Sequence, residues 1–78
     1  MKKTTLVHEY IEITRGLRGF FAVHVGVYQN ANDVNDTYQE PIQTGFGSYK
    51  TSDAAIPEAQ IWADDLEIPF VPPTITLN

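Results

Sequence analysis

Two histidines and a carboxylate fall within the first third of the chain: His8, Glu12 and His24. Imidazole nitrogens and a carboxylate are the donors of many transition-metal sites, and the same groups carry general acid–base chemistry. A metal site needs further ligands at a suitable spacing, and acid–base catalysis needs a nucleophile or a pocket beside the base. The spacing of these three supplies neither, and a chain without cysteine holds no thiolate zinc cluster. The expectation is no catalytic residue, no metal, no cofactor and no enzyme. The alternative is a small regulatory protein that binds a ligand or metal through His8, Glu12 and His24.

Two other stretches carry chemistry-bearing patterns and fall short of them. Gly45–Ser52, GFGSYKTS, places Lys50 and Thr51 before a helix as a phosphate loop does, but Tyr49 stands where that loop has glycine. It reads better as a softened strand end followed by a helix cap. The acidic loop NANDVND offers oxygen ligands without the alternating order and closing glutamate of a calcium loop, so it reads as a polar turn.

The elements that would position these residues follow from hydrophobic period. Thr5–Thr14, TLVHEYIEIT, reads as a strand with Val7, Ile11 and Ile13 on one face. Arg15–Gly19 contains two glycines and reads as a hairpin turn. Phe20–Tyr28 has an unbroken apolar face of Phe21, Val23, Val25 and Val27, which marks a central strand. Five of the nine residues in Gln29–Thr37 are Asn or Asp, so this stretch reads as a loop. Tyr38–Tyr49 reads as a third strand, placed at an edge or bulged by Pro41, which has no ladder donor. Thr51–Leu66 is the one helix signal: Thr51 suits an N-cap, and Ala55, Ala59, Trp62, Ala63 and Leu66 recur at helical spacing. Pro57 lies inside it, and a kink there is expected. The remaining residues, EIPFVPPTITLN, read as an extended proline-rich tail, with residues 1–4 and 73–78 the loosest parts.

These elements make a single small α+β domain over residues 1–78: a three-stranded antiparallel sheet in order 1-2-3 with one C-terminal helix on one face. The expected core is Val7, Ile11, Ile13, Phe21, Val23, Val25, Val27, Ile42, Phe46, Ala55, Ala59, Trp62, Ala63 and Leu66. An obligate dimer pairing through sheet edges or outer faces is the alternative. A turn centred on Leu17 sets Tyr10 opposite His24 and His8 opposite Gly26. One helix covers one face of a sheet. The other face would then present Tyr10, Phe20, His24 and Tyr28, with His8 and Glu12 beside them, as a candidate interaction surface. Ile61, off the core face of the helix, is a weaker candidate. Cross-strand stabilisation of a solvated face explains the same aromatics equally well.

Composition narrows the partners. The net charge is −5, which argues against nucleic acid, where clustered lysine and arginine are needed. No apolar run approaches the length of a signal peptide's core or a membrane span, so a cytoplasmic protein without membrane contact is expected.

The segments RGFFAVHVGVY and EPIQTGFGSYKTSDAAIPEAQIWADDLEIPF, within residues 18–70, resemble small proteins of bacterial, notably cyanobacterial, and phage genomes. Those proteins combine an aromatic strand, an EP-x-QTG-x-G-x-Y-x-T stretch and an alanine-rich helix with a Trp-Ala pair. The resemblance implies a compact strand–strand–strand–helix unit and no catalytic residues. Pro57 departs from the uninterrupted helix of that pattern. The functional expectation is a non-enzymatic module that binds another protein or a second copy of itself. Its sharper form is a small phage or mobile-element protein that inhibits a host protein.

Overall fold

A computed structural model of the chain describes residues 4–45 and 47–73. It contains β1 (Thr4–Gly16), β2 (Gly19–Asn30), β3 (Asp33–Thr44) and α1 (Ser52–Leu66), with the strands antiparallel in order β1-β2-β3. The expected α+β architecture is therefore present. Phe46 of the expected core and the last five residues lie outside the described residues.

The first hairpin closes on two residues, Leu17 and Arg18, between the paired Gly16 and Gly19. Gly19 has φ 122°, and a side chain there would run into the backbone carbonyl of Tyr49, so glycine is required twice over. The two-residue turn corrects the expected register. Ile11, not Tyr10, faces His24, and Gly26 faces Glu9 rather than His8. A shift of one residue turns one strand over relative to its neighbour. Ile11 and Ile13 of β1 consequently share a face with Ala22 and His24 of β2, while the valine face of β2 joins Tyr10.

The helix packs on the first of these faces. Ile11, Ala22, Ala59 and Ala63 form its buried centre, with Ile13, Trp62, Ile68 and Phe70 packed around them. Small residues on both sides let the helix axis approach the sheet closely. Tyr10, Val23 and Val25 form a second cluster on the opposite face, extended by Phe21 and Val27. Three other expected core residues are exposed. Val7 (50 % exposed) sits at a bulge where β1 skips a pairing with β2. Ile42 lies at the bulge of β3, and Leu66 is in the last turn of α1.

The expected Asn/Asp loop is mostly strand. β2 continues to Asn30, and β3 starts at Asp33. The Asn30 and Asp33 side chains accept from the backbone N–H groups of Asn32 and Asn35, each at 3.0 Å, which satisfies the tight turn locally. Polar residues are harmless in these strand ends because β3 is exposed along its whole length. Pro41 sits on this edge strand beside the bulge, as its missing donor demands.

The helix begins at Thr51, whose hydroxyl accepts from Ala54 N–H at 3.2 Å. It runs through Pro57 as one uninterrupted element. The proline removes the bond that would reach the Asp53 carbonyl, and Asp53 is exposed, so that carbonyl is not left in a dry interior. At the other end Glu67 takes a left-handed conformation. Its N–H donates to Asp64 O at 3.2 Å, and Ile68 N–H donates to Ala63 O at 3.0 Å. This Schellman arrangement turns Ile68 back onto the core. The chain then runs along the outer edge of β1, where Ile11 N–H donates to Pro69 O at 3.0 Å and Val71 N–H donates to Ile11 O at 2.8 Å. The tail thus pairs with one edge of the sheet. Among the described residues no helix is long and apolar enough to cross a membrane.

Candidate functional site

The residues expected to form one aromatic surface are divided between the two faces. Tyr10 is buried on the face away from the helix, stacked with His8 at a ring separation of 5.9 Å. Burial, and then repulsion from Glu12, pushes the Tyr10 phenol above its ordinary pKa. Phe20 lies on the helix side, with the Arg15 guanidinium 5.9 Å from its ring. His24 is also on the helix side and is only 9 % exposed. Its Nε2 lies 2.9 Å from Glu9 Oε1, and its ring packs edge-to-face with the Trp62 indole at 6.0 Å between centroids. A half-exposed His24 on the outer face is therefore corrected to a buried, hydrogen-bonded one beneath the helix. The metal alternative loses its geometry as well, since His24 is separated by the sheet from His8 and Glu12. Among the described residues no three His, Asp or Glu side chains cluster in a way that would hold a metal ion.

Tyr28 is on the helix side too, but beyond the reach of α1. It stacks on Tyr38 of β3 at 5.4 Å, and Leu6 and Ile42 close in around Gly26 beside it. Leu6, Tyr38 and Ile42 are each more than two-fifths exposed, so this is an apolar patch open to solvent.

A concavity beside the helix was not foreseen. The helix packs on β1 and β2 and makes no contact with β3. A cleft of about 500 Å³ remains between α1 and the C-terminal half of β3. Its helical wall is Glu58, Ile61, Trp62 and Asp65. These residues follow the i, i+3, i+4, i+7 spacing of a single stripe, set beside the Ala55, Ala59, Ala63 stripe that lies on the sheet. The opposite wall is Gln43, Thr44 and Gly45, and Tyr49 also lines the cleft. Ile61, the weakest of the expected surface residues, is 63 % exposed here.

Glu58 ties Gly47 and Tyr49 together. Its Oε1 accepts from Gly47 N–H at 3.3 Å. The Tyr49 hydroxyl reaches the same carboxylate, and that hydrogen bond, with burial and the negative charge adding to it, raises the phenol's pKa. Glu58 Oε2 is buried, and among the described residues no group other than Tyr49 is placed to hydrogen-bond to it. A side chain at Gly47 would strike both Glu58 and Tyr49, which explains the glycine. The second stripe on α1 was the available sequence signal for this cleft. Trp62 belongs to both, packed against the core as expected and lining the cleft.

On the far face a smaller trough of about 260 Å³ has Val23 and Val25 as its floor, with Glu12 and Thr14 on one side and Gln39, Glu40 and Pro41 on the other. No helix packs over it among the described residues. No family model, curated protein or solved structure matches the chain, so what the cleft does is argued from its own geometry.

Proposed function

We propose that the protein is a non-enzymatic interaction module whose contact surface is the helix side of the sheet over β3. The observation that carries this reading is the placement of α1 over β1 and β2 alone. It leaves an edge strand bare on the same side as an exposed isoleucine and an indole. The Leu6, Tyr28, Tyr38 and Ile42 patch lies further along that face and widens the apolar area. Apolar and aromatic side chains in a concave setting, edged by polar groups, are what a protein contact uses.

The partner this surface suits is a protein segment that combines apolar and basic side chains. The chain has Asp+Glu 10 against Lys+Arg 5, and α1 contains Asp53, Glu58, Asp64 and Asp65 with no lysine or arginine. A second copy would bring like charge onto like charge, which disfavours self-association through this face. The test is selection from a displayed random-peptide library on the immobilised full chain. Peptides that interleave apolar and basic residues, and that lose binding to Ile61→Asp but not to Val34→Asp, are the expected result. Selected peptides that bind both variants as well as wild type would overturn the reading, as would an absence of any basic–apolar consensus.

A further inference from the structure

We infer that the outer edge of β3 is a docking site for an extended protein segment, which joins the sheet as an antiparallel fourth strand and carries a basic residue on either side of an apolar one. This rests on the interaction-module reading and adds to it the conformation and the residue pattern of the partner.

The two edges of the sheet differ. The edge of β1 is taken up at Ile11 by Pro69 and Val71. β3 has β2 on one side and, among the described residues, no strand on the other. It is exposed throughout and contains no lysine, a residue that commonly blunts an open edge. Pro41 and the bulge beside it interrupt only the C-terminal part. Residues 37–41 pair regularly with β2, a stretch about as long as an average strand.

The direction of the backbone groups follows from the neighbouring bonds. Phe20 exchanges both backbone bonds with Tyr49, and Ala22 O accepts from Gly45 N–H. Successive residues of a strand bond to opposite sides, so the even-numbered residues of β2 bond toward β3. Gly26 and Tyr28 are two of them, and their partners are Glu40 and Tyr38. Glu40 and Tyr38 are thus spent on β2, while Thr37, Gln39 and Pro41 turn their backbone groups outward. Two N–H groups and three carbonyls are left for an added strand. Pro41 fits this assignment, since the donor it lacks is one that β2 does not use.

Side chains select what is added. Asp36, Tyr38 and Glu40 alternate onto the helix side of β3. The Asp36 carboxylate accepts from the Asn30 side-chain amide at 3.2 Å, and Tyr38 stacks on Tyr28. Glu40 is opposite Gly26, where a side chain would point at Leu6, Tyr28 and Ile42, and it also borders the far trough. An added strand sets one residue against each of the three. Tyr38, 44 % exposed, takes an apolar or aromatic side chain, which extends the Tyr28–Tyr38 stack by one ring. Asp36 and Glu40 each take a lysine or arginine. The pattern is basic-x-apolar-x-basic. A second copy does not supply it: β3 set antiparallel on its own copy about Tyr38 puts Asp36 against Glu40 at both ends, and like charges directly opposite disfavour pairing.

The experiment uses the full chain, isotopically labelled, and the capped peptide Thr-Lys-Thr-Phe-Thr-Lys-Thr, followed by NMR. Hydrogen exchange of the Thr37 and Gln39 amides is expected to slow on binding, while that of Tyr38 and Glu40, already bonded to β2, changes little. A peptide N-methylated at the two threonines beside phenylalanine loses two pairing donors and binds about tenfold or more weakly. N-methylation at the phenylalanine, whose N–H points away from β3, leaves binding nearly unchanged. Glutamate in place of both lysines abolishes it. Gln39→Pro removes a donor that β2 does not use, so the fold is kept and the peptide is lost. Should that variant fail to fold by circular dichroism, Asp36→Asn combined with Glu40→Gln is expected to weaken the peptide several-fold and to flatten its salt dependence. Unprotected Thr37 and Gln39 amides at millimolar peptide, or an equal or reversed preference between the two N-methylated peptides, would overturn the proposal. So would a dimer in sedimentation with both amides already protected, which would give the edge to a second copy. The two readings fail separately: library peptides that depend on Ile61 but are indifferent to N-methylation would retain the interaction surface and remove the added strand.

Discussion

Replacing Ile11 with alanine tests the register and the placement of the helix together. Ile11 has no exposed surface and is the largest side chain so buried in the described chain. The substitution removes three carbons, worth about 2.4 kcal/mol at about 0.8 kcal/mol per buried methylene. The gap left behind persists. Its neighbours Ala22, Ala59 and Ala63 have no length with which to fill it, and the Ile11 backbone is pinned on its free edge by Pro69 and Val71. The cost therefore belongs in the upper part of the usual range, about 3–4 kcal/mol. A domain of this size has a total stability of roughly 4–12 kcal/mol. The melting temperature should accordingly fall by roughly 12–30 °C. Urea unfolding followed by circular dichroism and by Trp62 emission measures it, with Val7→Ala as the internal comparison. Val7 has the same strand parity but is half exposed at a bulge, so its truncation should stay within about 0.5 kcal/mol. If Ile11→Ala costs less than about 1 kcal/mol, or Val7→Ala costs as much as Ile11→Ala, the helix does not rest where it is described here.

Two further outcomes follow from single residues. Glu67 holds a left-handed conformation at the end of α1, at φ 57°, with a carboxylate placed against the helix's negative pole. Glu67→Gly should therefore raise stability by about 0.5–1 kcal/mol in chemical unfolding, and a loss of stability would show that the cap is not formed. The Tyr10 and Tyr49 phenols are both held above the ordinary value of 10.0, Tyr10 mainly by burial and Tyr49 mainly by its hydrogen bond to Glu58. The unfolded chain thus loses these protons at lower pH than the folded one. Their contribution is complete below pH 10.0 and is lost as pH rises through the folded-state values. Phenolate absorbance of wild type against Tyr10→Phe and Tyr49→Phe should place each of these two phenols above 10.0, and stability should fall over the same alkaline range. A Tyr10 or Tyr49 phenol titrating at or below 10.0 would contradict the buried Tyr10 or the Tyr49–Glu58 contact.

Local chemistry made much of the fold legible. The β-branched and aromatic runs at Thr5–Thr14 and Phe20–Tyr28 specify strands, Thr51 specifies a helix start, and Pro41 specifies an edge or a bulge, because each acts through its own backbone. The Asn/Asp stretch misled for a related reason. These side chains favour turns where nothing competes, but in β3 the hydrogen-bond ladder from β2 competes and wins.

The candidate site was illegible at one particular step. Alternation within a strand says which residues share a face, but not which face of the neighbouring strand joins them. That depends on whether the turn holds two residues or three, and Gly16 and Gly19 enclose two. The single shift buried His24 beneath Trp62, separated it from His8 and Glu12, and removed Tyr10 from the company of Phe20 and Tyr28. The sequence by itself determined that α1 has a small-residue stripe and that the chain is acidic, since both are properties of residues at fixed spacing. Only the tertiary structure decided that α1 spans two strands of the three. A helix about 10 Å wide covers two strands spaced about 4.8 Å apart and leaves the third bare. The cleft at Glu58 and Trp62 exists for that reason.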